Sequence, residues 1–192
     1  MSESIIQDIH NKLNSKEISC VQLVQEKINA LQESTKNANN AILEEQALKQ
    51  AQIIDEKIAS GHKLSGLEGI PFGVKDVYLL KGTISTASSN ILKNYKSPYT
   101  ATAIQKLIDS GAIPICKENC DQFGHGSTNE NSVFGVAKNA HNEQKVAGGS
   151  SGGSAVNVAE ENTIFSIGGD TGGSIRQPAG YNKVYGLKPT YG

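Results

Sequence analysis

Glycine is spread so unevenly along this chain that it divides the fold in advance. No glycine occurs among residues 1–60, whereas 14 of the 20 glycines fall between Gly124 and Gly192. Glycine weakens helices and is the residue that tolerates positive φ and close backbone approach. The pattern therefore predicts helix first and tight turns later.

The glycine-free part carries helix signals. Ser19 can cap a helix, with Gln22 three residues on as a capping box requires, and Ile18 and Leu23 are placed for a hydrophobic staple. Val21, Val24, Ile28 and Leu31 then recur with a helical period. A second helix is expected from about Glu44 to Ala59, with Ala47, Ala51, Ile54 and Ile58 on one face and Gly61 as its stop. Packing is the expected role of both. Farther on, Gly69-Ile-Pro-Phe-Gly-Val-Lys75-Asp76 reads as a short buried strand ending in two charges. Thr102 to Ser110 reads as a helix stopped by Gly111, and Ala112 to Cys116 as a strand. Thr163 to Ile167 reads as another strand, running directly into Gly168-Gly169-Asp170. Helices alternating with short apolar strands predict an α/β fold, a sheet with helices on its faces.

With 192 residues, 37% of them hydrophobic, the chain can bury a real core as one domain. The net charge of -1 supplies no global basic field, so an RNA contact would be local or supplied by a partner. No apolar run approaches the roughly 18 residues of a membrane span, and Met1 to His10 lacks the pattern of a signal peptide. Three cysteines (Cys20, Cys116 and Cys120) without a secretory signal predict reduced thiols in a cytoplasmic protein. Cys116 and Cys120 have no second ligand pair, so a structural role is expected and no metal site.

Two segments concentrate the glycines: Gly148-Gly149-Ser150-Ser151-Gly152-Gly153-Ser154 and Gly168-Gly169-Asp170-Thr171-Gly172-Gly173-Ser174-Ile175-Arg176. Neither has the lysine of a P-loop or the spacing of a dinucleotide fingerprint, and the Gly-x-Ser-x-Gly elbow is absent. A serine nucleophile with an oxyanion hole fits better. A strand, a glycine turn and Ser174 at a helix start would aim the backbone N–H groups of Thr171, Gly172, Gly173 and Ser174 at one spot. There they could hold the charge that develops on a carbonyl oxygen.

A serine nucleophile needs a base. The histidines, His10, His62, His125 and His141, lie in no motif built around them and are expected on the surface or in loops. Lys75, at the end of an apolar strand, is the alternative. It can act as a base only when neutral, which burial favours. Lowering a lysine pKa from about 10.4 to near 7 costs roughly 4 to 5 kcal/mol, which the fold must supply.

These residues resemble the amidase signature family. The paired-serine run followed by Asp170-Thr-Gly-Gly-Ser-Ile-Arg-Gln-Pro-Ala179 carries the likeness, as does the Gly69–Asp76 segment. The order and spacing agree: 75 residues separate Lys75 from Ser150, and 24 separate Ser150 from Ser174. Gly126-Ser127-Thr128-Asn129-Glu130-Asn131-Ser132 and Gly186-Leu187-Lys188-Pro189-Thr190-Tyr191-Gly192 are similar to the glutamyl-tRNA(Gln) amidotransferase branch of that family, in its A subunit.

The resemblance implies a mixed β-sheet core covered by helices on both faces. It implies that residues 1–192 are the N-terminal part of one longer domain, helical to about residue 62 and catalytic from about residue 63. Ser174 would be the nucleophile, Ser150 the proton relay behind a cis Gly149–Ser150 peptide, and Lys75 the base. Gly124, Ser127 and Gly149 would contact substrate. Glutamine would be the amide donor, with ammonia passing to a partner that amidates glutamate carried on tRNA. The B and C subunits would be partners. No cofactor is implied in this chain; ATP and Mg²⁺ would act at a partner. Two alternatives stand beside this reading: a stand-alone amidase for small amides, and a silent fragment that needs a C-terminal complement. The chain departs from the family at Gly169, where serine is usual, and over Gly180–Tyr185. There Lys183 replaces a glycine and Tyr185 a small apolar residue, substitutions hard to fit in a tight buried segment.

Overall fold

The computed structural model describes residues 4–191; Met1 to Glu3 and Gly192, the ends of the expected domain, lie outside them. Helix α1 (Ile5–Asn14) lies in the stretch expected to be helical, although the sequence expectation gives it no bounds. It is capped by the Ser4 side chain, which accepts from the Gln7 N–H, and it buries only Ile9, His10 and Leu13. Ile6, Ile9 and Leu13 recur at a helical spacing behind the Ser4 cap, a local signal of the same kind as that of α2. Helix α2 (Cys20–Glu33) starts as its sequence predicts. The Gln22 N–H donates to Ser19 Oγ at 3.0 Å and the Ser19 N–H to Gln22 Oε1 at 2.8 Å. Such a cap is worth about 1 kcal/mol. The Asp55 carboxylate of α3 (Glu44–Ala59) adds to it, accepting from the Cys20 and Val21 N–H groups at 2.7 and 3.1 Å. An anion there also complements the helix dipole. Ala47, Ala51, Ile54 and Ile58 of α3 are buried. The helix stops at Gly61, whose φ of 90° permits the reversal; Gly61 N–H donates to Ile58 O and His62 N–H to Lys57 O, both at 3.0 Å.

Four strands form one mixed sheet: β1 (Asn39–Ile42), β2 (Pro71–Lys75), β3 (Ile113–Glu118) and β4 (Phe165–Ile167). Their order is β1-β3-β2-β4, with β2 parallel to both neighbours and β1 antiparallel to β3. A parallel strand between two others is covered on both faces, and all five residues of β2 are buried. One cluster joins α1, α2 and α3 to Ile70, Ile113, Ile115 and Cys116; another joins Ile104 of α4 (Thr102–Asp109) to Phe72 and Val74. The Phe72 and Phe165 rings stack at 5.1 Å between centroids. Burying one such side chain is worth about 1.5–3 kcal/mol.

Two departures from the sequence expectation concern the ends of elements. Strand β3 does not stop at Cys116 but runs on through Lys117 and Glu118, because both charges find partners inside the protein. The Gly180–Tyr185 run is not a tight buried segment. Helix α6 (Arg176–Tyr181) ends there in a Schellman turn, with Lys183 and Tyr185 both exposed. Val184 N–H donates to Ala179 O at 3.0 Å, and Lys183 sits at a φ of 58°.

The topology decides where chemistry can occur. Strands β2 and β4 run parallel in the register Phe72↔Phe165, Val74↔Ile167. Lys75 and Gly168 therefore leave the sheet side by side at the same edge, the carboxyl ends of the strands, where α/β folds place their sites.

Candidate active site

Three segments meet at that edge. Lys75 arrives on β2. Ser150 sits two residues before α5 (Gly152–Ala159), and Ser174 two residues before α6. Lys75 is 1% exposed, and its Nζ donates to Ser150 Oγ at 2.6 Å and to Gly169 O at 3.4 Å. Burial pulls its pKa from the ordinary 10.5 down to about 8; Cys120, Asp121, Asp170 and Glu118 act against the fall. The amine is therefore neutral in a useful fraction of molecules near neutral pH. The Gly149–Ser150 peptide is cis. Ser150 is 1% exposed and Ser174 8%.

The two glycine-rich segments are tied together through Ser151. Its N–H donates to Ser174 O at 3.0 Å. Its hydroxyl donates to Gly169 O and accepts from the Gly169 N–H, both at 3.2 Å. Among the described residues no hydrogen bond joins the Ser150 and Ser174 hydroxyls. The structure thus brings Lys75 into contact with Ser150 and holds Ser174 on the adjoining segment.

One of the four expected oxyanion donors is otherwise engaged. The Gly173 N–H donates to Asp170 Oδ1 at 2.8 Å, while Asp170 Oδ2 takes the Ile175 and Arg176 N–H groups at 3.1 and 3.2 Å. The Arg176 guanidinium, bonded twice at 3.0 Å, holds this carboxyl well below the usual carboxylate range. An anionic side chain inside the loop competes for the N–H groups an oxyanion would use. The donors left are those of Thr171, Gly172 and Ser174.

Of the expected substrate residues, Gly124 and Gly149 lie at the site. A Cβ on Gly124 would stand 3.8 Å from Ser150 Oγ, and the Gly149 N–H donates to Gln177 Oε1 at 3.3 Å. Ser127 is exposed. Gly149 and Gly126 both leave room for Asp121, whose carboxylate accepts from the Asn129 N–H at 3.1 Å. Burial raises the Asp121 pKa. The histidines stand elsewhere. His10, contrary to the surface expectation, is 4% exposed because its Nε2 bonds Glu68 O at 3.0 Å.

Sequence reasoning passes over Lys117 and Glu118, since two charges after an apolar strand resemble a solvated end. Lys117 pairs with Asp76 at 3.0 Å, each 1% exposed, and also donates to Tyr78 O at 2.6 Å. Glu118 is fully buried. Beside these groups lies an open cleft of about 1020 Å³. It reaches Ser151, Gly169 and Asp170 but not Lys75, Ser150 or Ser174. The cysteines are all buried free thiols, and burial pushes Cys20 up to about 12 and Cys120 to about 11. Among the described residues no group of three or more His, Cys, Asp or Glu side chains could hold a metal ion, and no helix is long and apolar enough to cross a membrane.

Comparison with known proteins gives likenesses of sequence and of fold. The family model described as Amidase matches residues 19–192. The A subunit of the glutamyl-tRNA(Gln) amidotransferase of Trichormus variabilis is 47% identical over 189 residues, which are 97% of this chain but 39% of that protein. The chain thus spans about two fifths of the length of such relatives. Among solved structures, a chain of an inhibitor-bound vestigial protein complex, described as revealing the evolutionary origins of an s-triazine catabolic enzyme, superposes with a TM-score of 0.93 at 33% identity, over 97% of this chain and 42% of the other. The A subunit of the glutamyl-tRNA(Gln) amidotransferase of Thermotoga maritima superposes with a TM-score of 0.74 at 34% identity, over 96% of this chain and 36% of the other.

Proposed function

The chain belongs to the amidase family, and on that premise we propose that it cleaves a carboxamide through an acyl-enzyme on Ser174. Ser174 Oγ attacks the carbonyl carbon, its proton passing to Ser150 Oγ while Ser150 gives its own to neutral Lys75 Nζ. The C–N bond breaks as the proton returns along the same path to the leaving nitrogen. Water, deprotonated by the same relay, hydrolyses the ester and restores Ser174. The free backbone N–H groups of Thr171, Gly172 and Ser174 face the oxyanion, a kind of stabilisation worth about 3–4 kcal/mol per donor.

The observation that carries this reading is the buried amine, 2.6 Å from Ser150 Oγ with a pKa of about 8. Labelling with a fluorophosphonate serine probe tests it, the modified residue being mapped by mass spectrometry. Adduct on Ser174, lost in Ser174→Ala and Lys75→Ala, is the expected result. Near-normal labelling of Lys75→Ala removes Lys75 from the mechanism. If the folded chain labels only after a C-terminal segment is added, residues 1–192 are the silent N-terminal part of one domain, helical to about 62 and catalytic beyond.

The substrate reading rests on the relatives. Glutamine is the proposed amide, and its ammonia passes to a partner that amidates glutamate on tRNA(Gln). The B and C subunits are the proposed partners, ATP and Mg²⁺ acting there, in the cytoplasm. A stand-alone amidase for small amides is the second reading, supported by a peptide amidase that superposes with a TM-score of 0.87 at 30% identity. Cleavage of aliphatic amides with glutamine untouched decides for the second.

A further inference from the structure

Glu118 is a buried acid for which the proposed chemistry has no use. It is the residue paired with Lys75 across the parallel β2–β3 register, and both side chains lie on the face that α5 covers. Its carboxylate leans back over Gly73, where any Cβ would overlap Oε1. A glycine at that point of β2 is what admits the acid.

Three donors surround it. Oε2 accepts from Ser154 Oγ at 2.6 Å. Oε1 accepts from Ser166 Oγ at 2.6 Å and from Asn157 Nδ2 at 3.1 Å. The Ser166 hydroxyl is itself 3.1 Å from Thr163 Oγ1, and as it donates its one proton to the acid, Thr163 is the donor of that second bond. Burial raises the Glu118 pKa, and the bonds from Ser154, Ser166 and Asn157, with the charge of Lys75, work against that rise. Asn157 Nδ2 can only donate, so at Oε1 the acid is held as an acceptor.

The origin of these donors gives the arrangement its meaning. Ser154 and Asn157 belong to α5, which begins two residues after Ser150. Ser166 belongs to β4, which runs into the loop bearing Ser174. One carboxylate on the strand beside Lys75 therefore straps down both serine-bearing segments.

We propose that Glu118 is a positioning residue of this site: its buried carboxylate fixes the start of α5 and the end of β4 against the Lys75 strand and places a negative charge opposite the Lys75 amine. The proposal rests on the reading of Lys75 and the two serines as the reacting groups, but its test does not depend on turnover. The charged or titratable groups facing Lys75 are Asp121, Asp170 and Glu118, each of which favours its protonated form when ionised, and Cys120, which burial raises to about 11 and so keeps neutral where Lys75 titrates. Glu118 alone among them is also bonded to both serine-bearing segments.

The test is made on the whole chain by carbon-13 NMR titration of the lysine Cε signals, with Lys75 assigned by Lys75→Met, together with amide hydrogen exchange. Glu118→Gln keeps the side-chain shape and removes the charge. The Lys75 midpoint is expected to move to lower pH. The Ser151 and Gly169 amides, which join the two segments, are expected to exchange at least about tenfold faster, as loss of a hydrogen bond to a buried charged group implies. Ser154→Ala and Ser166→Ala each cut one strap while keeping the acid, and are expected to speed the same two amides. An unmoved Lys75 midpoint in folded Glu118→Gln overturns the proposal, whatever happens to stability, since a purely structural acid would leave the lysine alone. So does unchanged exchange at Ser151 and Gly169 in both serine variants, a result obtainable even if Glu118→Gln does not fold. A chain that passes both tests yet never labels on Ser174 would refute the amide-cleaving function and leave the placement of Glu118 standing.

Discussion

Replacing Lys75 by Met should make the protein more stable while abolishing acylation. Lys75 is 1% exposed, and burial lowers its pKa from 10.5 to about 8. That fall corresponds to about 3 kcal/mol, at roughly 1.4 kcal/mol per pH unit. The sign follows from which state holds the proton. Below pH 8 the lysine is protonated in both states, and the native state carries the full cost of the buried charge. Between pH 8 and 10.5 the unfolded chain keeps the proton that the native chain has lost, so stability rises with pH across that window. Lys75→Met removes the cost at neutral pH and forfeits the bond to Ser150 Oγ, worth about 1 kcal/mol. The expected net gain is about 2 kcal/mol near neutral pH, or a Tm higher by about 4–8 °C for a chain of this size. Urea unfolding of both proteins near neutral pH and near pH 10 measures it. The two should converge at the higher pH, because only the wild type gains stability there. A Met variant less stable than wild type near neutral pH, or parallel pH slopes for the two, would refute the reasoning.

Other consequences are open to simpler measurements. The rate of Ser174 labelling should rise with pH about a midpoint near 8, gaining about tenfold between pH 7 and its plateau as the base loses its proton; a midpoint near 6.5 would point to a histidine instead. Lys183→Gly should raise stability by about 1 kcal/mol in urea unfolding, because Lys183 holds a φ of 58° at the Schellman position where glycine carries no steric cost. Gly153→Ala should prevent folding by circular dichroism, its Cβ overlapping Ala38 O and lying 2.8 Å from Asn119 N, both backbone atoms. Gly172→Ala meets nothing within 4 Å and should stay within about 0.5 kcal/mol of wild type. Lys117→Met should lower stability by about 3–5 kcal/mol, since it strands the buried Asp76 carboxylate.

Much of this protein is written locally. The span of α3 and its stop at Gly61, and the capping box at Ser19, depend on residues within one or two turns of each other, so periodicity and cap chemistry reveal them without any fold. Lys75 and Ser174 are candidates legible from an apolar strand ending in a charge and from glycines placed beside a hydroxyl, whereas Ser150 is named through the resemblance to the amidase signature. What only the tertiary structure decided are the contacts between segments far apart in the chain. Strand β1 is four half-buried residues beginning Asn39-Asn40, and it exists because β3 offers an edge. The fall of the Lys75 pKa to about 8 comes from burial, whose extent is set by segments far away in the chain that close over the strand end. Lys117 and Glu118 look like a solvated strand end until Asp76 and the Ser154–Ser166 pair close around them. Desolvation and charge pairing depend on distance in space, while helix periods and caps depend on distance along the chain, and that difference separates what the sequence determined from what it left to the fold.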